Sequence, residues 1–280
     1  MLFRFTDESK IGQKNSPYDF DLVLFWLVFG LIGLGVVMVY SSSIAIADLG
    51  GNPYQFLTRH LFALSIGLIL AFFATQLPVR FWEAVAPVLF LIGLFMLIVV
   101  LIPGVGYEAN GSRRWFRFAG FSFQPSEFMK FAAVLYAADY TIRKGVYIST
   151  FKRGFLPLFA VMVLAGALLL FEPDFGAFVV ITAIAMGVLF LGGMNWKLLL
   201  ALTFLLFAAF VVLINYSEYR SARVFGFLDP FGDPFDTGYQ LTHSLMAFGR
   251  GELFGVGLGG SIEKLHYLPE PHTDFILAVI

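Results

Sequence analysis

Apolar residues in this chain do not alternate with polar ones; they come in long blocks separated by short polar segments. The blocks run Leu22 to Tyr40, Leu61 to Thr75, Val85 to Ile102, Phe128 to Ile142, Phe155 to Phe171, Phe175 to Leu191 and Leu198 to Ile214, and another begins at Phe275. Blocks of this kind read as membrane-crossing helices, because a helix satisfies its backbone groups internally whereas an open strand edge cannot be satisfied in lipid. Several are shorter than the roughly 20 residues that cross about 30 Å of hydrocarbon, so their ends are expected to extend into the flanking polar residues. The expected fold is an all-α polytopic membrane protein, a helical bundle. Residues 22–214 supply seven complete transmembrane helices, residues 215–274 a large loop, and residues 275–280 the start of an eighth helix. A stub of that length cannot span a bilayer, so the chain reads as truncated at Ile280. Gly30, Gly33 and Gly35 in the first block are expected to allow close helix packing.

Composition strengthens this picture. With 59% hydrophobic and 13% charged residues, the chain lies far from the roughly 25% charged content of soluble domains. No Lys/Arg-rich block interleaved with aromatics is present, which excludes nucleic acid as a partner. The absence of Cys removes disulfides, thiolate catalysis and thiolate metal sites. Residues 1–21 carry charges of both signs and no early apolar core, so they read as a cytoplasmic segment and not as a cleaved signal peptide.

Basic residues in the short loops set the orientation. With the N-terminus inside, Arg4, Lys10, Lys14, Arg80, Arg143, Lys144, Lys152, Arg153 and Lys197 face the cytoplasm. Only Arg59, Arg113, Arg114 and Arg117 lie outside. The segment 215–274 then faces outward and is too long for a plain connector.

Three outer arginines oppose the positive-inside trend. Arg113, Arg114 and Arg117 either bind a phosphate-bearing ligand or pair with lipid head groups. Pro125 suits a first helical turn, and Glu127 and Lys130 share a helix face and are expected to pair. The Glu172-Pro173-Asp174 turn reads as a helix start. Asp229, Asp233 and Asp236 read as turn residues before they read as a cation site, since two of them precede Pro. The glycine run from Gly249 to Gly260 lacks the strand and helix of a dinucleotide fingerprint and is expected to let a loop lie flat. At the end of the chain, HYLPEPHTDFILAVI turns from polar to apolar at His272-Thr273-Asp274. Thr273 or Asp274 is either an N-cap, favoured by the helix dipole, or Asp274 is a general base at the mouth of a transmembrane cavity.

Together, NGSRRW, QPSEFMK, EPDFG, RVFGFLDP, GYQLTHSLMAFGRGELFGVGLG and LPEPHTDF resemble the motifs of the SEDS (shape, elongation, division and sporulation) family of peptidoglycan glycosyltransferases, in the family's order. The stretch from Gly238 to Gly259 and the YSSS at Tyr40 to Ser43 are more similar to its division branch than to its elongation branch. The resemblance implies ten transmembrane helices with a large extracytoplasmic loop between the seventh and eighth. It implies polymerisation of lipid II into undecaprenyl-pyrophosphate-linked glycan at the division septum of the bacterial cytoplasmic (inner) membrane. It places the catalytic carboxylate at Asp274 and substrate contacts at Arg114, Glu127, Lys130, Arg223, His272 and Thr273. The implied partners are a class B penicillin-binding transpeptidase, other divisome proteins and membrane lipid. It fixes no cofactor, and a divalent cation such as Mg or Mn is compatible with a pyrophosphate leaving group. Two other classes remain open: a lipid II flippase, which needs no base, and a non-catalytic divisome scaffold.

Overall fold

The computed structural model describes residues 21–109, 112–118, 121–216 and 218–280. The first twenty residues of the expected cytoplasmic segment, and Asn110 and Gly111 of the NGSRRW motif, lie outside the described residues. The chain forms two compact units, one from residues 21–70 with 218–280 and the other from Ala71–Tyr216.

The second unit contains five consecutive α-helices among the described residues. α3 (Val79–Val100), α4 (Pro125–Arg143), α5 (Leu156–Phe171), α6 (Phe175–Leu191) and α7 (Trp196–Asn215) follow in order, with one π turn at Phe151–Phe155 leading into α5. Each start has a local cause. α4 opens with Pro125, whose missing N–H costs nothing in a first turn. The side chains of Asp174 and Asn195 cap α6 and α7 by accepting from Ala177 and Lys197 backbone N–H groups. The core between α3, α4, α5 and α6 is built on Leu97, Met129, Leu158, Leu169 and Ile181, all buried.

Between α3 and α4 the expectation of an all-α chain is corrected. β1 (Tyr107–Ala109), β2 (Ser112–Phe118) and β3 (Phe121–Phe123) form an antiparallel sheet in the order β1-β2-β3. The segment is short and rich in β-favouring aromatics, and its three strands pair with their neighbours in sequence order.

In the first unit, α1 (Leu22–Leu49) is capped by Asp21, whose carboxylate accepts from Val23 and Leu24 N–H at 3.0 Å. α2 (Gln55–Gln76) follows, and the division between the units falls within it. The segment 215–274 is more than a loop: it contains α8 (Glu218–Leu228) and α9 (Tyr239–Gly251). A four-residue α10 (Ile276–Val279) packs with Leu268 against Met38 of α1.

Helix ends lie close to the expected blocks, and the first three extend into polar flanks: α1 runs on to Leu49, α2 begins at Gln55 and α3 at Val79. Among the described residues four helical segments are long and apolar enough to cross a bilayer: Leu22–Leu49, Gln55–Gln76, Val79–Val100 and Phe151–Phe171. Phe175–Leu191 and Trp196–Val212 are shorter apolar helices. α4 stands apart because Glu127, Lys130, Asp139 and Arg143 interrupt its apolar character.

The glycines singled out in α1 are not packing sites within the described residues, since an added Cβ at Gly30, Gly33 or Gly35 would meet no atom within 4 Å. Close approach occurs elsewhere. At Gly154 an added Cβ would collide with the Tyr147 carbonyl and sit 2.6 Å from Ile148 Cα, while the Gly154 carbonyl accepts from Tyr140 Oη at 2.8 Å. At Gly93 the nearest obstacle is Met129 Sδ, also at 2.6 Å. Backbone cannot retreat as a thioether can, so Gly154→Ala is expected to cost about 1–3 kcal/mol and Gly93→Ala less. Thermal melts of the two variants in detergent check the order.

Candidate functional site

In the Ala71–Tyr216 unit, the sheet sorts Arg113, Arg114 and Arg117. Arg113 forms an ion pair with Glu108, Nε to Oε2 at 2.9 Å. Arg117 lies over the Tyr107 ring, 3.8 Å from its centroid. Arg114 is different because of register. Tyr107 pairs with Trp115 and Glu108 with Arg113, so Arg114 is the extra residue of a β-bulge with no partner on β1. Bulges re-aim side chains and are enriched beside active sites. Arg114 makes no ion pair among the described residues, and its charge acts on Glu172.

Of Glu172 and Asp174, only one takes the helix-start role expected of their turn. Asp174 carries all of the capping: Oδ1 accepts from Ala177 N–H at 3.1 Å, and Oδ2 accepts from Gln124 Nε2 and Ser126 Oγ, each at 2.8 Å. The QPSEFMK and EPDFG motifs are thereby joined, and α4 and α6 begin at the same end of the unit. Glu172 is fully buried, yet neither carboxyl oxygen has a hydrogen-bond partner among the described residues. Burial pushes its carboxyl up to about 8, the adjacent Asp174 carboxylate adds to the rise, and the Arg114 guanidinium opposes it. A carboxyl at that value is mostly neutral at pH 7, which is how a buried, unpartnered acid avoids the cost of an isolated charge.

Glu127 and Lys130 pair as the spacing implies, Oε1 to Nζ at 2.7 Å, one helical turn into α4. The Lys130 ammonium is thus already matched by a carboxylate, whereas the Arg114 guanidinium is not.

The other predicted residues belong to the other unit. Arg223 is exposed on α8. His272, Thr273 and Asp274 lie on a strap that runs from Ser261 to the start of α10. Glu263, nearly buried, holds the strap to α9 by accepting from Arg250 Nη1 at 2.6 Å and contacting His243 Nδ1 at 2.7 Å. Lys264 Nζ donates to Ser41 Oγ of the YSSS motif at 3.3 Å, and Tyr239 Oη donates to the Tyr267 carbonyl at 2.7 Å. Phe56 packs edge-on against the His272 ring, 4.5 Å between centroids. Gly255, Gly257 and Gly259 all take positive φ, which lets the glycine run turn tightly between α9 and the strap.

The N-cap alternative for Thr273 or Asp274 is corrected. α10 begins at Ile276 after Phe275, with no side-chain cap, because the chain passes from Pro271 to Phe275 in successive turns that keep the two residues upstream of the helix. Thr273 Oγ1 instead donates to the Glu270 carbonyl at 3.3 Å. Asp274 is exposed, and its carboxylate makes no hydrogen bond or ion pair among the described residues. It is an acceptor on a well-anchored strap with no structural task.

Among the described residues no three His, Asp or Glu side chains gather as a divalent-cation site. Asp229 and Asp233 act as turn residues: Asp229 Oδ1 accepts from Gly232 N–H at 3.1 Å, and Asp233 Oδ2 from Thr237 Oγ1 at 3.3 Å. Among the described residues the donor set does not fit a protein-held divalent ion. The residues not singled out beforehand are Gln124 and Ser126 of QPSEFMK, which serve Asp174 of EPDFG; Lys264, which reaches Ser41 of YSSS; and His243 and Arg250, which hold Glu263.

Residues 22–280 match the model of the cell cycle protein family of FtsW, RodA and SpoVE. A protein of Aromatoleum aromaticum named "Probable peptidoglycan glycosyltransferase FtsW" is 55% identical over 270 residues, covering 95% of this chain and 66% of the relative. One of the same name from Burkholderia thailandensis is 53% identical over 273 residues, covering 95% of this chain and 59% of the relative. The chain therefore spans about three-fifths to two-thirds of these relatives' length. Among solved structures, a chain described under "Structural coordination of polymerization and crosslinking by a peptidoglycan synthase complex" superposes with a TM-score of 0.62 at 28% identity, covering 84% of this chain and 66% of that one. The rod shape determining protein RodA of Thermus thermophilus superposes with a TM-score of 0.56 at 28% identity, covering 70% of this chain and 60% of that one. The chain belongs to the FtsW/RodA/SpoVE family of cell cycle proteins, the SEDS family whose motifs it carries.

Proposed function

We propose that the protein is a peptidoglycan glycosyltransferase of the division branch, polymerising lipid II at the outer face of the bacterial cytoplasmic membrane. The observation that carries this reading is the 55% identity, over 95% of the chain, to a relative named for that activity. α1 to α7 are the seven spans, the N-terminal segment lies inside, and the 215–274 segment lies outside at the septum. The partner is a class B penicillin-binding transpeptidase, in line with the polymerisation and crosslinking complex to which the chain is similar.

Chain growth joins the acceptor sugar 4-hydroxyl to the anomeric carbon of the donor and breaks that carbon's bond to lipid pyrophosphate. Asp274 takes the hydroxyl proton as the new C–O bond forms with inversion. The electron pair of the broken bond leaves on pyrophosphate, which needs no general acid. Arg114 and Arg223 neutralise the departing diphosphate, with planar guanidinium groups suited to phosphate oxygens. Lys130 is a weaker candidate, since Glu127 already holds it. His272 and Thr273 shape the acceptor side of the strap.

The full-length protein given purified lipid II in detergent is expected to yield glycan strands, visible after electrophoresis. Dithionite-protected translocation of fluorescent lipid II across vesicles, with no strands formed, would replace the enzyme with a transporter. An effect of lipid-facing substitutions on complex formation, with neither activity detected, would leave a scaffold.

A further inference from the structure

Glu172 stands outside the reaction just described. It is a carboxyl with no exposed surface, and both of its oxygens lack a donor among the described residues. Its neighbour two residues on is well supplied: Asp174 takes three donors, from Gln124, Ser126 and Ala177. Arg114 is the cation that acts on Glu172, and the bulge has left it without a β1 partner. The remaining charges on β2 and α4 are already committed. On β2, Arg113 is held by Glu108 and Arg117 by the Tyr107 ring. On α4, Glu127 and Lys130 hold each other, and Asp139 and Arg143 pair at 2.8 Å near the helix's other end.

We propose that Glu172 is a positioning residue for Arg114, a buried carboxyl that leaves the guanidinium to an anionic ligand while uncharged and competes for it once ionised. The proposal rests on the reading of Arg114 as a diphosphate holder. Its logic is linkage. A ligand diphosphate that occupies Arg114 removes the charge that favours ionised Glu172, so binding and ionisation oppose each other. Burial and the Asp174 carboxylate keep Glu172 neutral at pH 7, so the guanidinium is available there. As pH rises through about 8, the carboxyl ionises and takes Arg114 into a short-range pair that a diphosphate must break. An uncharged amide of the same shape would leave Arg114 available at every pH.

The test measures binding of farnesyl pyrophosphate, a soluble lipid diphosphate, to the full-length protein in detergent across this range. For the parent, the dissociation constant is expected to rise about tenfold between about pH 7 and about pH 9, following the ionised fraction of one group titrating near 8. Glu172→Gln is expected to bind at least as tightly as the parent at the lower pH and to show no such rise. Its thermal melt should match or exceed the parent's, which separates a binding effect from misfolding. Equal pH slopes in parent and Glu172→Gln, or a flat parent profile, overturn the role of Glu172. Arg114→Gln is the second arm. If it weakens binding while the parent profile is flat, only the Glu172 inference falls; if it binds like the parent, the diphosphate reading of Arg114 falls as well.

Discussion

Asp274→Asn in the full-length protein is expected to slow lipid II polymerisation by about 10²–10⁴-fold, the range for removing a positioned general base. The structure makes this substitution unusually clean. Asp274 caps no helix, forms no ion pair and accepts no hydrogen bond among the described residues, and it is exposed. Asn keeps its size, so stability should change by no more than about 0.5 kcal/mol, as for surface positions without special contacts. The strap should keep its course, because its anchors are Glu263, Lys264, Tyr267 and Leu268, not Asp274. The loss should therefore fall on kcat with KM little changed, since a proton acceptor acts as the hydroxyl attacks and not as substrate docks. Strand formation from lipid II, measured beside a thermal melt, decides the matter. A variant that polymerises at the parent rate would remove Asp274 from the chemistry.

What the sequence disclosed, and what it concealed, follow from the range of the forces involved. Block hydrophobicity is local, and α6 begins and ends where its apolar block does, at Phe175 and Leu191. Pro125 opens α4 as its fixed φ requires. The sheet from Tyr107 to Phe123 was not legible, because its strands are too short for period-two alternation to emerge from a run of aromatic and basic residues. Nor was the bulge: the family resemblance named Arg114, but charge and spacing treated the three arginines alike, and only pairing register gives Arg114 a backbone setting of its own. α8 and α9 were hidden within a segment judged by length alone. In the Glu172-Pro173-Asp174 turn, sequence could propose a cap but could not choose between two carboxylates. That choice depended on Gln124 and Ser126, about fifty residues away. Of the two alternatives for the polar-to-apolar switch, the Thr273 or Asp274 cap fails because the switch marks where burial begins, and here the turns from Pro271 delay the helix to Ile276.

The largest loss of stability is expected from Asp174→Ala. The carboxylate caps α6 through Ala177 N–H, a contribution of about 1 kcal/mol. Its other oxygen accepts from Gln124 and Ser126, and bonds to a charged acceptor contribute about 1.5–3 kcal/mol each. Ser126 has no exposed surface, so its hydroxyl would be left without a partner away from water. These contributions overlap, and a total of about 4 kcal/mol is expected. Asp174→Asn keeps one oxygen for the cap but offers an amide where two donors converge, and should cost about half as much. Thermal melts in detergent order the three proteins: parent, then Asn, then Ala. The Asn variant tests a second consequence. The Asp174 charge helps to keep Glu172 neutral, so removing it lowers the pH at which Glu172 ionises. The alkaline loss of farnesyl pyrophosphate binding should then begin at lower pH in Asp174→Asn than in the parent, and the shift should vanish when Glu172→Gln is added. A fold that loosened generally would weaken binding at every pH, whereas coupling through this one carboxyl moves the midpoint and leaves the low-pH affinity in place.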